Sequence, residues 1–385
     1  RPARRAPTVI KARHEGDDVT EDATGRDADA LPAFIDRAWM ADALAEIDVA
    51  GATLVGIDFE GWIGTGQMAR NGRIALRWDD PGGQPTSVVV KVPSPDPDTA
   101  AFAFAQGGYL SELRFYRDIA ATVDCRVPAC HRTEYRPEDL EFALLMEDIS
   151  GAETGDQIAG LRPEEIDLTI AQAARLHAPR YGDPTLPAAL SSGSATDAAS
   201  DFAEFAQVAY AASVEVMLDR LGARLDGDVV EVFLAVTPHV ARWARGGGAA
   251  ETVVHGDLRG DNLLFRQGRS SPEVVVVDWQ TVRAGPAGVD VAYLISGSIP
   301  DPADRAALEG DLVASDLGRM AGYGVAIDPD EFWRDYRLGS IWGLLITAVA
   351  TMQASRTDRG DELFICMAER HGQQVLHLEP LALLD

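Results

Sequence analysis

Three polar residues between positions 255 and 280 have the types and the spacing of a phosphoryl-transfer centre. Asp257 follows His255 and Gly256, Asn262 stands further along the same loop, and Asp278 comes directly after a run of valines. The set combines an isolated carboxylate, an amide oxygen and a second carboxylate. Two of these groups could hold a metal ion and the third could accept a proton, which suits phosphoryl transfer from a Mg-nucleotide.

The residue types follow from the chemistry of magnesium and of hydroxyl attack. Mg²⁺ prefers hard oxygen ligands and keeps several waters, so one or two protein oxygens plus substrate phosphates are enough. Asn262 and Asp278 fit that requirement. A hydroxyl that attacks a γ-phosphate must lose its proton, and in kinase-type sites an Asp of the catalytic loop accepts it. Asp257 is therefore the candidate general base.

Two short apolar stretches are suited to position these groups. Residues 274–277 form a β-branched run after Gly268 and Pro272, which predicts a buried strand that delivers Asp278 at its carboxyl end. The apolar triplet at 263–265 directly follows Asn262 and predicts a second strand. A strand, a turn and a strand would then face both metal ligands into one cleft.

The segment HGDLRGDNLLF followed by VVVVDWQ resembles the catalytic loop and metal-binding motif of the aminoglycoside phosphotransferase and choline kinase-like superfamily, relatives of the eukaryotic protein kinase fold. Ordinary protein kinases carry an Arg after the His and Phe-Gly after the metal-binding Asp. Gly256 and Trp279-Gln280 stand at those positions here, which points to the small-molecule branch.

This resemblance implies an α+β, two-lobed, protein kinase-like fold with a small antiparallel β-sheet N-lobe and a larger, mostly helical C-lobe. It also implies that His255 holds the loop by hydrogen bonds, and that Asp290 accepts backbone N–H groups from the catalytic loop. His177 is interpreted as a hydrogen-bonded helix residue rather than a ligand.

A kinase-like N-lobe needs a glycine turn over the phosphates, a lysine on a following strand and a glutamate on a helix beyond it. All these parts occur in that order. The turn is Gly64-Thr65-Gly66-Gln67, and Lys91 ends a β-branched stretch. Glu112 lies in a segment with helical spacing and is expected to pair with Lys91. Lys91 stands out because the chain contains only one other lysine, at position 11.

The motifs predict three regions. Residues 1–30 are polar and predict a flexible arm, 31–146 the nucleotide-binding N-lobe, and 147–385 the C-lobe with the catalytic loop, metal site and substrate pocket. The resemblance implies that backbone groups of Glu147, Asp148 and Ile149, in the linker between the lobes, bond the adenine edge. Helical patterns are predicted at 32–45, 163–177, 199–221, 229–244, 289–295, 302–322, 329–353 and 361–378.

Composition narrows the class of protein. A chain of 385 residues is too long for one hydrophobic core, and 46% hydrophobic residues can form sizeable cores. Three cysteines without a CxxC pair suit a reducing, cytoplasmic setting, and no stretch has the length of a membrane span. The net charge of −27 argues against nucleic acid as a partner. It reflects overall composition or, alternatively, a cleft that attracts a cationic substrate.

The predicted function is ATP- and Mg²⁺-dependent phosphorylation of a hydroxyl group on a small molecule. The acceptor stays open between an aminoglycoside, a choline-like alcohol, an apolar or steroid alcohol and a hydroxyacyl thioester, and the oligomeric state is open too. The alternative is a nucleotide-binding pseudokinase without phosphotransfer activity. A P-loop kinase is rejected because no GxxxxGK[ST] segment occurs. A protein kinase is disfavoured because Asp290 follows Asp278 by only twelve positions.

Overall fold

The computed structural model describes residues 30–45, 51–64, 66, 68–80, 82–186, 190, 198–246, 250–268 and 271–384. The arm predicted over residues 1–30 lies outside this part of the chain except for its last residue. Thr65 and Gln67 of the predicted glycine turn also lie outside it.

An antiparallel sheet of five strands forms the N-terminal part, in the order β1-β2-β3-β5-β4. Lys91 lies within the central strand β3, where it pairs with Asn71 on one side and Leu144 on the other. A residue with partner strands on both sides has little freedom, so its side chain is aimed by the sheet. The strands are β1 Leu54–Ile63, β2 Ala69–Trp78, β3 Ser87–Pro93, β4 Cys130–Arg136 and β5 Glu141–Glu147.

The valines of β3 alternate between two cores because successive side chains of a strand point to opposite faces. Val88 and Val90 pack with Met40 of helix α1 (Arg37–Ala43) in one core. Val89 packs on the other face, in the large core that includes Tyr109. Lys91 follows Val89 by two residues and therefore emerges on the Tyr109 side, toward the helix that carries Glu112.

Three short helices flank the sheet. Helix α1 is shorter than the helix predicted over residues 32–45, because it begins after Asp36, whose carboxylate accepts the Trp39 N–H at 2.8 Å. Helix α2 (Pro97–Gln106) was not predicted, and Gly107 (φ 78°) separates it from helix α3 (Gly108–Arg114), which carries Glu112.

The C-terminal part is mostly helical. Its helices are α4 Pro163–His177, α5 Ala198–Leu221, α6 Gly227–Val236, α7 Val240–Ala244, α8 Gly288–Ser298, α9 Pro302–Gly322, α10 Pro329–Gln353 and α11 Asp358–Leu378. Five short strands form two further sheets, β6-β8-β9 and β7-β10. These strands are β6 Glu153–Thr154, β7 Glu251–Val254, β8 Leu263–Gln267, β9 Pro272–Val276 and β10 Arg283–Pro286.

The single helix predicted over residues 229–244 is wrong. The chain forms α6 and α7 there, joined by a 3₁₀ turn at Thr237–His239 that contains Pro238. Proline lacks the backbone N–H that would continue the helical hydrogen-bond ladder, so the continuous helix is interrupted at Pro238.

The observed architecture confirms the predicted fold class. A small antiparallel sheet is followed by a larger helical part, and the two small sheets lie within the second part. Among the described helices, none combines the length and the apolar character that crossing a bilayer would require.

Asp316 is an unusual buried acid in the helical core. It lies on α9 and is 0% exposed, and neither carboxylate oxygen has a hydrogen-bond partner among the residues that the structure describes. Burial raises the pKa of its carboxyl group from 3.8 to about 6. The folded chain therefore keeps a proton on Asp316 in a pH range where the unfolded chain has lost it.

This proton makes the stability contribution of Asp316 pH-dependent. Because its folded pKa is the higher one, stability should fall as pH rises from about 4 to about 6, by roughly 3 kcal/mol in total. Asp316→Asn should remove that loss, so the free energy of unfolding of the variant should increase relative to that of the native protein as pH rises. Urea unfolding from pH 4.5 to 8 measures this, with Asp311→Asn, exposed on the same helix, as control. A difference between Asp316→Asn and the native protein that does not change with pH would contradict the prediction.

Candidate active site

The loop that carries Asp257 is fixed by a buried carboxylate from α8. Asp290 accepts the backbone N–H of His255 at 2.7 Å and that of Gly256 at 2.8 Å. Its Oδ2 also lies 3.1 Å from His177 Nε2 at the end of α4. These contacts lower the pKa of Asp290 although its burial acts in the opposite direction. The predicted interaction of Asp290 with the catalytic loop is therefore confirmed.

Gly256 permits a turn that other residues would resist. Its φ is 79°, and a Cβ there would lie 2.7 Å from the carbonyl oxygen of Thr281. His255 is fully buried beside this turn, with Nε2 3.0 Å from the Val277 carbonyl oxygen and Nδ1 3.1 Å from the Asp257 amide nitrogen. The imidazole thus joins the catalytic loop to the residue before Asp278, as the hydrogen-bonding role expected of His255 requires.

Three side chains hold the carboxylate of Asp257. Tyr293 on α8 donates its hydroxyl hydrogen to Oδ1 at 2.8 Å, and Asn262 Nδ2 donates to Oδ2 at 2.8 Å. Arg259 Nε lies 3.1 and 3.2 Å from the two oxygens, and the same guanidinium also contacts Asp261. Arg259 and Tyr293 were not identified from the sequence. Together these groups restrict the orientation of the Asp257 carboxylate.

Lys91 brings the N-terminal sheet and the second motif together. Its Nζ lies 2.7 Å from Glu112 Oε2 and 2.9 Å from Asp278 Oδ1, so the pair expected with Glu112 is present. Burial lowers the pKa of the Lys91 ammonium, but Asp278 and Glu112 outweigh it and the pKa lies above its ordinary value. Burial raises the pKa of Glu112 despite Lys91. Lys91 and Glu112 form a desolvated ion pair, and the more exposed carboxylate of Asp278 joins it.

Asn262 and Asp278 are joined through the backbone. The Val277 N–H donates to the Asn262 carbonyl oxygen at 3.0 Å, so the ends of β8 and β9 are held side by side. Asp278 has φ of 67°, a rare conformation for a residue with a side chain that is often found at functional sites. Burial raises the pKa of Asp278, but Lys91 outweighs it and the pKa is lowered, which keeps the group an anion.

These two residues fit a magnesium ion. Asn262 Nδ2 is engaged by the main-chain and side-chain oxygens of Asp257, so its amide oxygen remains as an acceptor. The side chain of Asp278 is 41% exposed and keeps one oxygen beyond the bond to Lys91. One amide oxygen and one carboxylate oxygen are hard ligands of the kind that Mg²⁺ takes alongside substrate phosphates.

The glycine turn and the linker lie at the ends of sheet strands. Gly64 has φ of 76° and follows β1, and Gly66 precedes β2. In the linker, the Glu147 N–H already donates to the Ala129 carbonyl oxygen at 2.8 Å. The Asp148 carboxylate accepts from the Ser87 hydroxyl at 2.7 Å and from Arg73. Ile149 is buried after them.

Gln157 and Arg370 hold the other end of the catalytic loop, and neither was identified from the sequence. Gln157 Oε1 accepts the Gly260 N–H at 2.9 Å, and the backbone N–H of Gln157 donates to Asp261 Oδ1 at 3.1 Å. Arg370 on α11 donates to the carbonyl oxygens of Gln157 and Gly297 at 2.7 and 2.6 Å. The loop is thus anchored at both ends by buried polar contacts.

Most aromatic residues of the C-terminal helices belong to the core. Phe332, Tyr336 and Phe364 are nearly or fully buried. Trp342 differs, because its indole N–H donates to the Gly256 carbonyl oxygen at 2.6 Å. This side chain therefore lies beside the loop residue that precedes the candidate base Asp257.

The sequence comparison identifies the class of protein. Residues 69–323 match the profile of the phosphotransferase enzyme family, designated APH, and the chain belongs to that family. The matched region contains Lys91, Glu112, Asp257, Asn262 and Asp278. No curated protein sequence is similar enough to this chain to count as a match.

Solved structures of small-molecule kinases share the fold at low sequence identity. An ethanolamine kinase from Plasmodium vivax has 11% identity and a TM-score of 0.50, with 84% of this chain and 81% of that chain covered. The choline kinase from Cryptosporidium parvum has 10% identity and a TM-score of 0.50, covering 85% and 90%. The GDP complex of aminoglycoside 2'-phosphotransferase-IIIa has 16% identity and a TM-score of 0.50, covering 86% and 96%.

Proposed function

We propose that the protein transfers the γ-phosphoryl group of ATP to a hydroxyl group of a small molecule. The observation that carries the proposal is the convergence of Asp257, Asn262 and Asp278 with the Lys91–Glu112 pair at the junction of sheet and helices. In the reaction, the acceptor oxygen bonds to the γ-phosphorus, the bond from that phosphorus to the β-γ bridging oxygen breaks, and ADP leaves.

Asp257 is assigned to the acceptor hydroxyl, whose proton it would take. Tyr293, Asn262 and Arg259 hold the carboxylate from three directions, which leaves it little rotational freedom. Such positioning accounts for much of the catalysis in phosphoryl transfer, because little covalent chemistry is asked of the protein.

Asn262 and Asp278 would hold Mg²⁺, which when bound neutralises charge on the β- and γ-phosphates. Lys91, held by Glu112 at 2.7 Å, is assigned to the α- and β-phosphates. The turn at 64–67 would lie over the triphosphate. Because the Glu147 N–H is already engaged, the linker's contacts with adenine are assigned to the remaining main-chain groups of Glu147, Asp148 and Ile149.

A pseudokinase is the alternative, in which nucleotide binding serves a regulatory role. The presence of the base, both metal ligands and the lysine–glutamate pair argues against it. These groups make the contacts of an assembled site, with Lys91 bonded to Asp278 and Asn262 bonded to Asp257. A protein that only binds nucleotide has no chemical need for an oriented base.

The test is ADP release from Mg-ATP with a panel of aminoglycosides, choline, hydroxylated lipids and hydroxyacyl thioesters, with mass spectrometry of the products. We expect turnover of one class above the rate without acceptor, and a phosphate monoester of that acceptor as product. Omission of Mg²⁺ should remove the activity. Saturable Mg-ATP binding without a phosphorylated product on any member of the panel would favour the pseudokinase instead.

A further inference from the structure

A cationic and aromatic cluster lies beside the catalytic loop. Arg283 is on β10, where it pairs with Val254, the last residue of the strand before the catalytic loop. Its guanidinium carbon lies 4.2 Å from the centre of the Trp342 ring, and Trp342 itself donates to the Gly256 carbonyl oxygen. Trp243 continues the aromatic surface, with its ring centre 6.2 Å from that of Trp342. Through Trp342, the cluster thus contacts the residue that directly precedes Asp257 in the chain.

The guanidinium of Arg283 has few hydrogen-bond and ion-pair partners. Among the described residues it forms no ion pair, its Nε is buried without a hydrogen-bond partner, and NH1 makes one long bond of 3.3 Å to the Ala284 carbonyl oxygen. Burial lowers the pKa of the guanidinium, although Asp290 and Glu251 act against it from a distance. The oxygens of Asp290 contact the catalytic loop and His177 rather than Arg283.

The surroundings of Arg283 leave its N–H groups short of hydrogen-bond acceptors. A cation–π contact with Trp342 stabilises the charge without using the N–H groups. Gly285 leaves space for the guanidinium, since a Cβ at that position would lie 2.7 Å from Arg283 NH1. Arg283 is partly buried, and a partly desolvated cation with incomplete hydrogen bonds is stabilised when a negative group completes them. A planar guanidinium with free donors matches a carboxylate or phosphate.

We propose that Arg283 binds an anionic group of the acceptor, so that the substrates are hydroxyl compounds that also carry a carboxylate or a phosphate. The apolar part of such a compound would lie against Trp342 and Trp243. This inference rests on the proposed function and selects among its acceptor classes. A polycationic aminoglycoside or a choline-like ammonium would bring a like charge to Arg283, and both are disfavoured despite the net charge of −27.

Equilibrium binding of non-reacting probes tests this without any requirement for turnover. The probes are hexanoate, hexyl phosphate, hexanamide and hexylamine, which share one chain and differ in the head group, and binding is measured by ligand-observed NMR in the presence of Mg-ADP. We expect one of the two anions to bind about 10- to 100-fold more tightly than the amide, with hexylamine weakest. The stronger of the two anions identifies the head group as carboxylate or phosphate.

Arg283→Gln should remove the preference for anions, whereas Arg283→Lys should retain part of it. Arg224→Gln is the matched control, because Arg224 is exposed, pairs with Glu362 and also loses one positive charge. Mg-ADP affinity reports that each variant is folded. Equal binding of anion and amide to the native protein, or the same preference in Arg283→Gln, would overturn the inference.

The two proposals fail in different ways. Anion binding that depends on Arg283, without phosphorylation of any hydroxy acid or hydroxyalkyl phosphate, would contradict the proposed function and leave this binding site standing. Phosphorylation of neutral or cationic alcohols, with no binding of the anionic probes, would contradict the assignment of Arg283 alone.

Discussion

Asp257→Asn is expected to lower kcat by about 10²- to 10⁴-fold, the usual contribution of a positioned general base. The amide has nearly the same shape, so it can still occupy the space between Tyr293 and Asn262. It cannot accept a proton from the acceptor hydroxyl. Mg-ATP affinity should change little, because the nucleotide contacts are assigned to other residues. Steady-state ADP release and calorimetric titration with Mg-ATP measure the two effects separately.

Asp261→Asn provides a matched control for this variant. Asp261 also contacts Arg259, and it accepts the Gln157 N–H, but it does not contact Tyr293 or Asn262 in the way that Asp257 does. Its replacement should disturb the position of Arg259 and cost less activity than Asp257→Asn. Full activity of Asp257→Asn would show that the base assignment is wrong, and an equal loss in both variants would assign the effect to Arg259.

The sequence predicted the parts of the site that are local or fixed by chain order. Asp278 follows a valine strand, and Asn262 precedes another, so a strand pair places both ligands together. The contact between Lys91 and Glu112 was expected from the kinase-like resemblance, because the lysine strand and the glutamate helix occur in the required order. Asp290 was found through the resemblance, since only the packed α8 brings its carboxylate to the loop.

The residues that the sequence did not reveal depend on long-range packing. Tyr293 reaches Asp257 from 36 positions away, and Trp342 reaches Gly256 from 86 positions away. Both positions depend on how closely α8 and α10 approach. A Cβ on Gly288 would lie 2.6 Å from the Tyr336 amide nitrogen, so this glycine permits the close contact. Neither periodicity nor motif spacing carries that information, because each describes one element at a time.

The failure over residues 229–244 has a different cause. The apolar periodicity of that segment is real, and Phe233, Val236 and Val240 all pack in one core. The chain keeps the same apolar face through the turn that Pro238 enforces. The prediction gave more weight to the apolar periodicity than to Pro238. In the structure, the missing N–H of Pro238 decides where α6 ends.

Lys91→Met is expected to destabilise the protein by about 3–5 kcal/mol, because it leaves buried charge without its partner. It should also lower kcat/KM by about 10²- to 10³-fold through loss of the phosphate contact. The pKa of Glu112, already raised by burial, should rise further without the ammonium. The folded variant then holds a proton that the unfolded chain releases, so its stability falls as pH rises. Urea unfolding at pH 5 and pH 8 measures this difference.

The double variant Lys91→Met, Glu112→Gln separates charge from packing. The methionine side chain fills much of the space of the lysine stem, and glutamine keeps the size of Glu112, which is only 1% exposed. If the destabilisation arises from an unpaired buried carboxylate, the double variant should be more stable than Lys91→Met at pH 8 and remain inactive. Equal stability of the single and double variants at pH 8 would show instead that packing around Lys91, and not its pairing with Glu112, stabilises this junction between the sheet and the catalytic loop.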